Sequence, residues 1–242
     1  MQAAGLQYIN NTDNNDNTME YSVSDIVNDA RVALDENVRT GSGIVAQLEE
    51  LGDPDTLTLD DIIRSKIEDA ARLVLENAAH WLLGEGIAIP GSLIVPRETG
   101  YVTGTMELPE DFLRLLTFKM SSWRMPVTVA ITEDSPLYEV QSSPYAGVRG
   151  NPERPVVAIT HQGDGSSGLL LECYSCTEGD TLVKARYIAV PKVSGGKIVL
   201  PGKLYRAVVY RTASLTALAV KDGEAAAALL STSNELAGIE SA

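Results

Sequence analysis

Between Thr58 and Gly84 the apolar side chains Leu59, Ile63, Ile67, Ala70, Val74, Ala78 and Trp81 recur at intervals of three and four residues. That spacing gathers all of them on one face of an α-helix and does not fit the period of two of a half-buried strand. Thr58-Leu-Asp-Asp61 has the form of a capping box, a hydroxyl at the N-cap followed three places later by an acid. Gly84 and Gly86 supply the stop. A helix over 59–83 would be about 37 Å long at 1.5 Å per residue. A helix of that length with one apolar stripe needs other elements to cover the stripe.

Two further helical patterns are available to cover it. Upstream, Val23, Val27, Ala30 and Leu34 lie on one face, with Ser24 as N-cap and Asp25 in the first turn, and the pattern ends near 37–41. Downstream of Pro201 come Leu204, Ala207, Val208, Leu215 and Leu218, then, after Asp222-Gly223, an Ala-rich helical tail over 224–236. Between these blocks Gly, Pro and Ser separate short runs rich in β-branched residues, at 101–108, 113–120, 127–131, 156–160, 169–174, 182–190 and 197–200. The connections are turn-sized and carry too little helix for β-α-β crossovers, which excludes a doubly wound sheet. The expected fold class is therefore α+β: a helical bundle of N- and C-terminal helices with an inserted antiparallel β barrel or sandwich lobe. The expected divisions are a flexible arm over 1–20, the first part of the bundle over 21–86, the β lobe over 87–200 and the closing helices over 201–242.

Charge narrows the function. The 242 residues hold 19 Lys and Arg against 33 Asp and Glu, a net −14, which argues against gripping nucleic acid or an anionic membrane by charge. Residues 1–99 contain 18 acids and 6 bases, a net −12, whereas the remainder is close to balance at −2. One end of the molecule should therefore be strongly negative. No apolar run approaches the length of a membrane span, and the start of the chain lacks the pattern of a signal peptide. The Asn- and Asp-rich opening has too few apolar side chains to offset the entropy of ordering. Asp13, Asn15 and Asn17 imitate the first ligands of a calcium loop, but Thr18 and Ser24 stand where Gly and Glu are needed.

The remaining chemical motifs are incomplete. Gly163-Asp-Gly165-Ser-Ser-Gly168 matches a dinucleotide fingerprint in letters, but a strand-like Leu169-Leu-Leu follows it, so no helix N-terminus meets a pyrophosphate. A glycine-rich hairpin loop is expected there. Cys173 and Cys176 on a strand should point to opposite faces, as two reduced thiols without a shared ligand. His80 beside Trp81 reads as a partly buried, hydrogen-bonded histidine, and Asp60 and Asp61 as companions of the helix dipole. Glu49 and Glu50 read as solvated surface. No catalytic, cofactor-binding or metal residue is expected, and the chain is not expected to be an enzyme.

One stretch says more. Met106-Glu-Leu-Pro-Glu-Asp-Phe-Leu-Arg-Leu-Leu-Thr-Phe-Lys-Met-Ser-Ser-Trp123, then Arg-Met-Pro-Val127, ends one strand in a Leu-Pro-Glu-Asp-Phe-Leu turn and starts another. With the long helix before it and the β block and terminal helices after it, this unit resembles the head-to-tail connector family of tailed bacteriophages. Members of that family are also called adaptor or ring proteins, and this chain is similar to the form found in the crAss-like and other short-tailed phages of Bacteroides. The resemblance covers roughly 24–220 and also draws on Asp60-Asp-Ile-Ile-Arg-Ser-Lys-Ile-Glu-Asp-Ala-Ala71, Arg149-Gly-Asn-Pro-Glu-Arg-Pro155 and Leu171-Glu-Cys-Tyr-Ser-Cys176.

The resemblance implies a structural virion protein, assembled in the host cytoplasm, that forms a homo-oligomeric ring of about twelve copies between the portal protein and the next tail or ring protein. Genome DNA would pass through without specific binding, past acids that repel phosphate within a Debye length of about 8 Å. An oligomeric interaction module outside a virion, or an unrecognised enzyme, is the alternative.

Overall fold

A computed structural model describes residues 18–38, 58–91, 93–95, 102–145, 147–161, 168–177 and 179–239 of the chain. The architecture is mixed α+β. The elements run β1 (Thr18–Ser22), α1 (Val23–Val38), α2 (Leu59–Asn77), a 3-10 turn (His80–Leu82), β2 (Ile87–Ala88), β3 (Val102–Glu107), β4 (Phe112–Met120) and β5 (Ile131–Thr132). They continue α3 (Pro136–Val140), β6 (Val157–His161), β7 (Leu169–Cys176), β8 (Leu182–Ala189), β9 (Lys197–Pro201), a second 3-10 turn (Gly202–Leu204), α4 (Tyr205–Ala219) and α5 (Gly223–Leu236).

The capping box at the start of α2 is formed: Asp61 N–H donates to Thr58 Oγ1 at 3.2 Å, and Thr58 N–H donates back to Asp61 Oδ2 at 3.3 Å. Leu59, Ile63, Ile67, Ala70, Ala71, Val74 and Leu75 bury the expected stripe, with roughly 1.5–3 kcal/mol available from each large aliphatic side chain so covered. The helix ends at Asn77, earlier than the letters suggest, although no Gly or Pro stands there. Long-range contacts set that end. The guanidinium of Arg114, on β4, donates to the carbonyls of Glu76 and Ala78 at 3.2 and 2.7 Å, placing a cation on the negative end of the helix dipole. Ala79 N–H donates to Ala237 O at 2.9 Å, beyond the last turn of α5. Trp81 consequently leaves the stripe and is 70% exposed.

Helices α1 and α4 pack onto this one, and α5 packs onto α4. Ile26, Val27, Ala30, Ala33 and Leu34 of α1 are buried, and Ser22 Oγ, not Ser24, receives the first free N–H, that of Ser24, at 3.2 Å. Arg31 of α1 pairs with Asp60 of α2 at 2.9 Å, and Tyr205 of α4 donates to Asp29 at 2.7 Å while stacking on Tyr21 at 4.3 Å. Helices α4 and α5 meet through small side chains, and two hydroxyls cross the gap: Ser214 to Ala226 O and Ser233 to Ala207 O, each 2.8 Å. Leu218, expected on the apolar face, is exposed, and Thr212, Ala213, Thr216 and Ala217 fill its place.

The strands form three sheets, none closed into a barrel among the described residues: β1-β9, β2-β8-β4 and β3-β7-β6-β5. The expected barrel fails because β3 and β4, although consecutive, pair in different sheets, and among the described residues the outer edge of β3 pairs only through the bridge Ile94 to Thr105. Among the described strands the expected antiparallel order has one exception, the parallel β5–β6 pair, whose connection holds α3. A second correction concerns the arm. Thr18, Met19 and Glu20 belong to β1, which pairs antiparallel with β9 from Thr18 opposite Pro201 to Ser22 opposite Lys197. Residues 1–17, including Asp13, Asn15 and Asn17, and residues 39–57, including Glu49 and Glu50, lie outside the described residues.

Two hydrophobic clusters result. One joins the four long helices to Leu116, Ile188, Ile198 and Leu200. The other holds Met106, Leu115, Phe118, Met120, Trp123, Val157, Leu171, Ala185 and Tyr187. Strands β4 and β8 contribute to both, since alternating residues point to opposite faces. Register shifts along β4 change which residue faces which cluster.

Candidate interface surface

The Leu108-Pro109-Glu110-Asp111-Phe112 stretch is the corner at which the chain leaves one sheet and enters another. Phe112 N–H donates to Pro109 O at 3.0 Å and closes the turn, and Leu108 N–H donates to Leu169 O at 3.0 Å, on β7. The far side is held by β8 and the residue after it: Val190 N–H donates to Asp111 O at 2.7 Å, the Tyr187 hydroxyl donates to Asp111 Oδ1 at 2.9 Å, and the Phe112 ring stacks on Tyr187 at 5.8 Å. Burial, then the hydrogen bond to Asp111, pushes the Tyr187 phenol up to about 12.

Bordering β8 is an apolar cavity of about 230 Å³ between the β1–β9 ribbon, β2 and the end of α2. Leu75, Leu83, Tyr187 and Ile188 are its buried lining, whereas Ile87 and Val199 line it while remaining 55% and 58% exposed. Gly86 brings this wall together. Its φ is +64°, and a Cβ there would stand 2.6 Å from Tyr187 O and 2.9 Å from Leu116 Cδ2, so only glycine fits. Its carbonyl accepts from Arg186 at 2.9 Å. Exposed Trp81 lies two residues before the lining Leu83, with the Lys203 ammonium 5.8 Å from its ring centre. Met19 on β1 is also exposed, and among the described residues β9 is the only strand that pairs with β1, whose other edge no described strand covers. A cavity with exposed aliphatic lining beside an open strand edge is suited to receiving another chain, by side-chain insertion and backbone pairing.

Several residues singled out in the sequence lie elsewhere. His80 is exposed, and its Nε2–H donates to Leu116 O at 2.8 Å, so the expected hydrogen bond is present but the expected burial is not. His161 ends β6 and meets Glu133, whose carboxylate is held below the ordinary range mainly by the His161 backbone N–H. The glycine-rich stretch connects β6 to β7, antiparallel neighbours paired from His161 opposite Leu169, and residues 162–167 of it lie outside the described residues. The expected divergence of the cysteines is overturned: Cys173 and Cys176 Sγ are 3.3 Å apart. Across from them, Val102 pairs with Cys176 and Gly104 with Cys173, so β7 spends three steps where β3 spends two. That β-bulge cancels the alternation that would have separated the thiols.

The acids of the first half are partly visible: Asp25 and Asp29 on α1 and Asp61, Glu68, Asp69 and Glu76 on α2 all face solvent. Among the described residues no helix is long and apolar enough to cross a membrane, and no group of three or more metal-ligating side chains is assembled. Neither a protein-family model nor a curated protein sequence matches the chain. The exposed Trp81, Ile87 and Val199 were not legible as a surface, because each sits in an apolar run that reads as core until the β1–β9 and β2–β8 pairings are known.

Proposed function

We propose that this chain is a structural subunit of a tailed-phage head-to-tail connector, assembling as a ring between the portal and the next tail component around the DNA exit channel. The observation that carries the reading is the Leu108–Phe112 corner: the motif on which the resemblance rests is the piece that joins the two sheets, with Asp111 bonded to Tyr187. In this reading the four long helices form the subunit's bundle and residues 87–200 its inserted lobe.

A ring repeats one heterologous contact, so every subunit needs two unlike surfaces that fit each other. The cavity bordered by Ile87 and Val199, with the open edge of β1 beside it, is the receiving surface in this proposal. The solvent-facing acids of α1 and α2 are candidates for a channel wall that keeps DNA sliding, because like charge within about 8 Å repels phosphate at physiological salt. The virion is the corresponding location.

Electron microscopy of the purified chain, alone and mixed with the portal protein of the same virus, tests this. Rings with a central hole are expected in at least the mixture, and Ile87→Glu with Val199→Glu should abolish them without lowering the unfolding temperature. A chain that stays monomeric with and without portal overturns the proposal.

A further inference from the structure

We propose that Cys173 and Cys176 form an oxidisable dithiol that closes to an intramolecular disulfide on meeting hydrogen peroxide. The fold brings the sulfurs together by a specific device. The extra residue of β7 in the bulge turns both side chains to one side, and Gly104 of β3 leaves the space they occupy. A Cβ at position 104 would stand 2.8 Å from Cys173 Sγ and 3.4 Å from Cys176 Sγ. The sulfurs are 3.3 Å apart and must approach to about 2.05 Å to bond.

The two thiols are not equivalent. Cys173 is pushed well above the ordinary thiol range, by its hydrogen bond to Cys176 and then by burial, and its sulfur also lies 3.4 Å from Gly104 O. Cys176 is held below that range, chiefly by accepting the bond from Cys173. In the proposal Cys176 is the attacking sulfur and Cys173 the resolving one. Both side chains are buried, but Cys176 is the last residue of β7 and faces β3, an edge strand whose ladder the bulge interrupts. Only a transient opening of this strand end is needed, wide enough for a molecule close to water in size.

In the first step the Cys176 thiolate attacks one peroxide oxygen. The O–O bond breaks, an S–O bond forms, and the departing hydroxide takes up a proton as water, leaving a sulfenic acid. In the second, Cys173 sulfur attacks Cys176 sulfur. The S–S bond forms, the S–O bond breaks, and the hydroxyl leaves as a second water with the Cys173 proton. Two electrons pass from the dithiol to the peroxide, and two thiols with one peroxide give one disulfide and two waters.

The full chain is treated with hydrogen peroxide, unfolded, alkylated and weighed. The expected product is lighter by two hydrogens, takes up no alkylating agent on either cysteine, and recovers both thiols with dithiothreitol. In Cys173→Ser the reaction should stop at the sulfenic acid of Cys176, trapped by a cyclic dione. Gly104→Ala should slow closure about tenfold by displacing the Cys173 sulfur, and the mass of the wild-type product decides the matter if that variant does not fold. Two alkylatable thiols after treatment, a sulfinic acid on the wild type, or disulfide-linked dimers overturns the proposal.

Discussion

The Tyr187 hydroxyl donates a 2.9 Å hydrogen bond to the Asp111 carboxylate across 76 residues of chain. It fastens the corner between β3 and β4 to β8, and the Phe112 ring stacks on that of Tyr187. Tyr187→Phe keeps the ring and removes the bond, and should lower stability at neutral pH by about 1 kcal/mol in urea titration. The phenol is raised from 10.0 to about 12 in the fold. A raised group contributes fully below its unfolded value and loses that contribution as pH climbs through its folded one. The difference between wild type and Tyr187→Phe should therefore hold below about pH 10 and shrink toward pH 12.

At Gly86 a side chain would need both a positive φ of 64° and space already taken by Tyr187 O. Gly86→Ala should cost about 3 kcal/mol, read as a fall in the thermal midpoint. An unchanged midpoint would show that β2 is free to move away from β8.

The two ends of α2 are held by different means and should respond differently. Thr58→Ala removes a local cap and should cost about 1 kcal/mol. Arg114→Met strips the carbonyls of Glu76 and Ala78 of their long-range donor and should cost about 2 kcal/mol. Urea titration of both variants checks the order.

Asp180 accepts hydrogen bonds from the Thr177 and Ser122 backbone N–H groups and from the Ser121 and Ser122 hydroxyls. Burial raises its carboxyl, but these bonds outweigh it and hold the group below 3.8. A depressed carboxylate stabilises the fold above its unfolded value and loses that contribution as pH falls through its folded one. Asp180→Asn should thus be less stable than wild type at neutral pH, with the gap closing below about pH 3.8. A gap that persists in strong acid would show that the carboxylate's charge is not what those donors hold.

What the sequence revealed was what local chemistry decides. Thr58 and Asp61 announced the start of α2, and short runs rich in β-branched residues located β3, β4 and β6 to β9 within a few residues. The end of α2 was hidden because Arg114 and Ala237 determine it from far along the chain. Strand β1 was hidden for a similar reason, as Thr18 to Ser22 acquire their pairing only when β9 lies beside them. The cysteine pair depends on a bulge against β3, which no count along β7 alone reveals. The candidate interface surface is the least legible part, since Ile87 and Val199 differ from core residues only by which side of a tertiary contact they occupy.

Strands β4 and β8 turn one face to the helices and the other to the β cluster, with Leu116 and Ile188 on one side and Leu115 and Tyr187 on the other. The helices and the strands thus share a wall, with no flexible neck at that seam. Loss of the β4–β8 pairing would uncover both clusters at once, so the two parts should melt in one cooperative transition. In the proposed ring, a subunit built this way would pass force on as a rigid block.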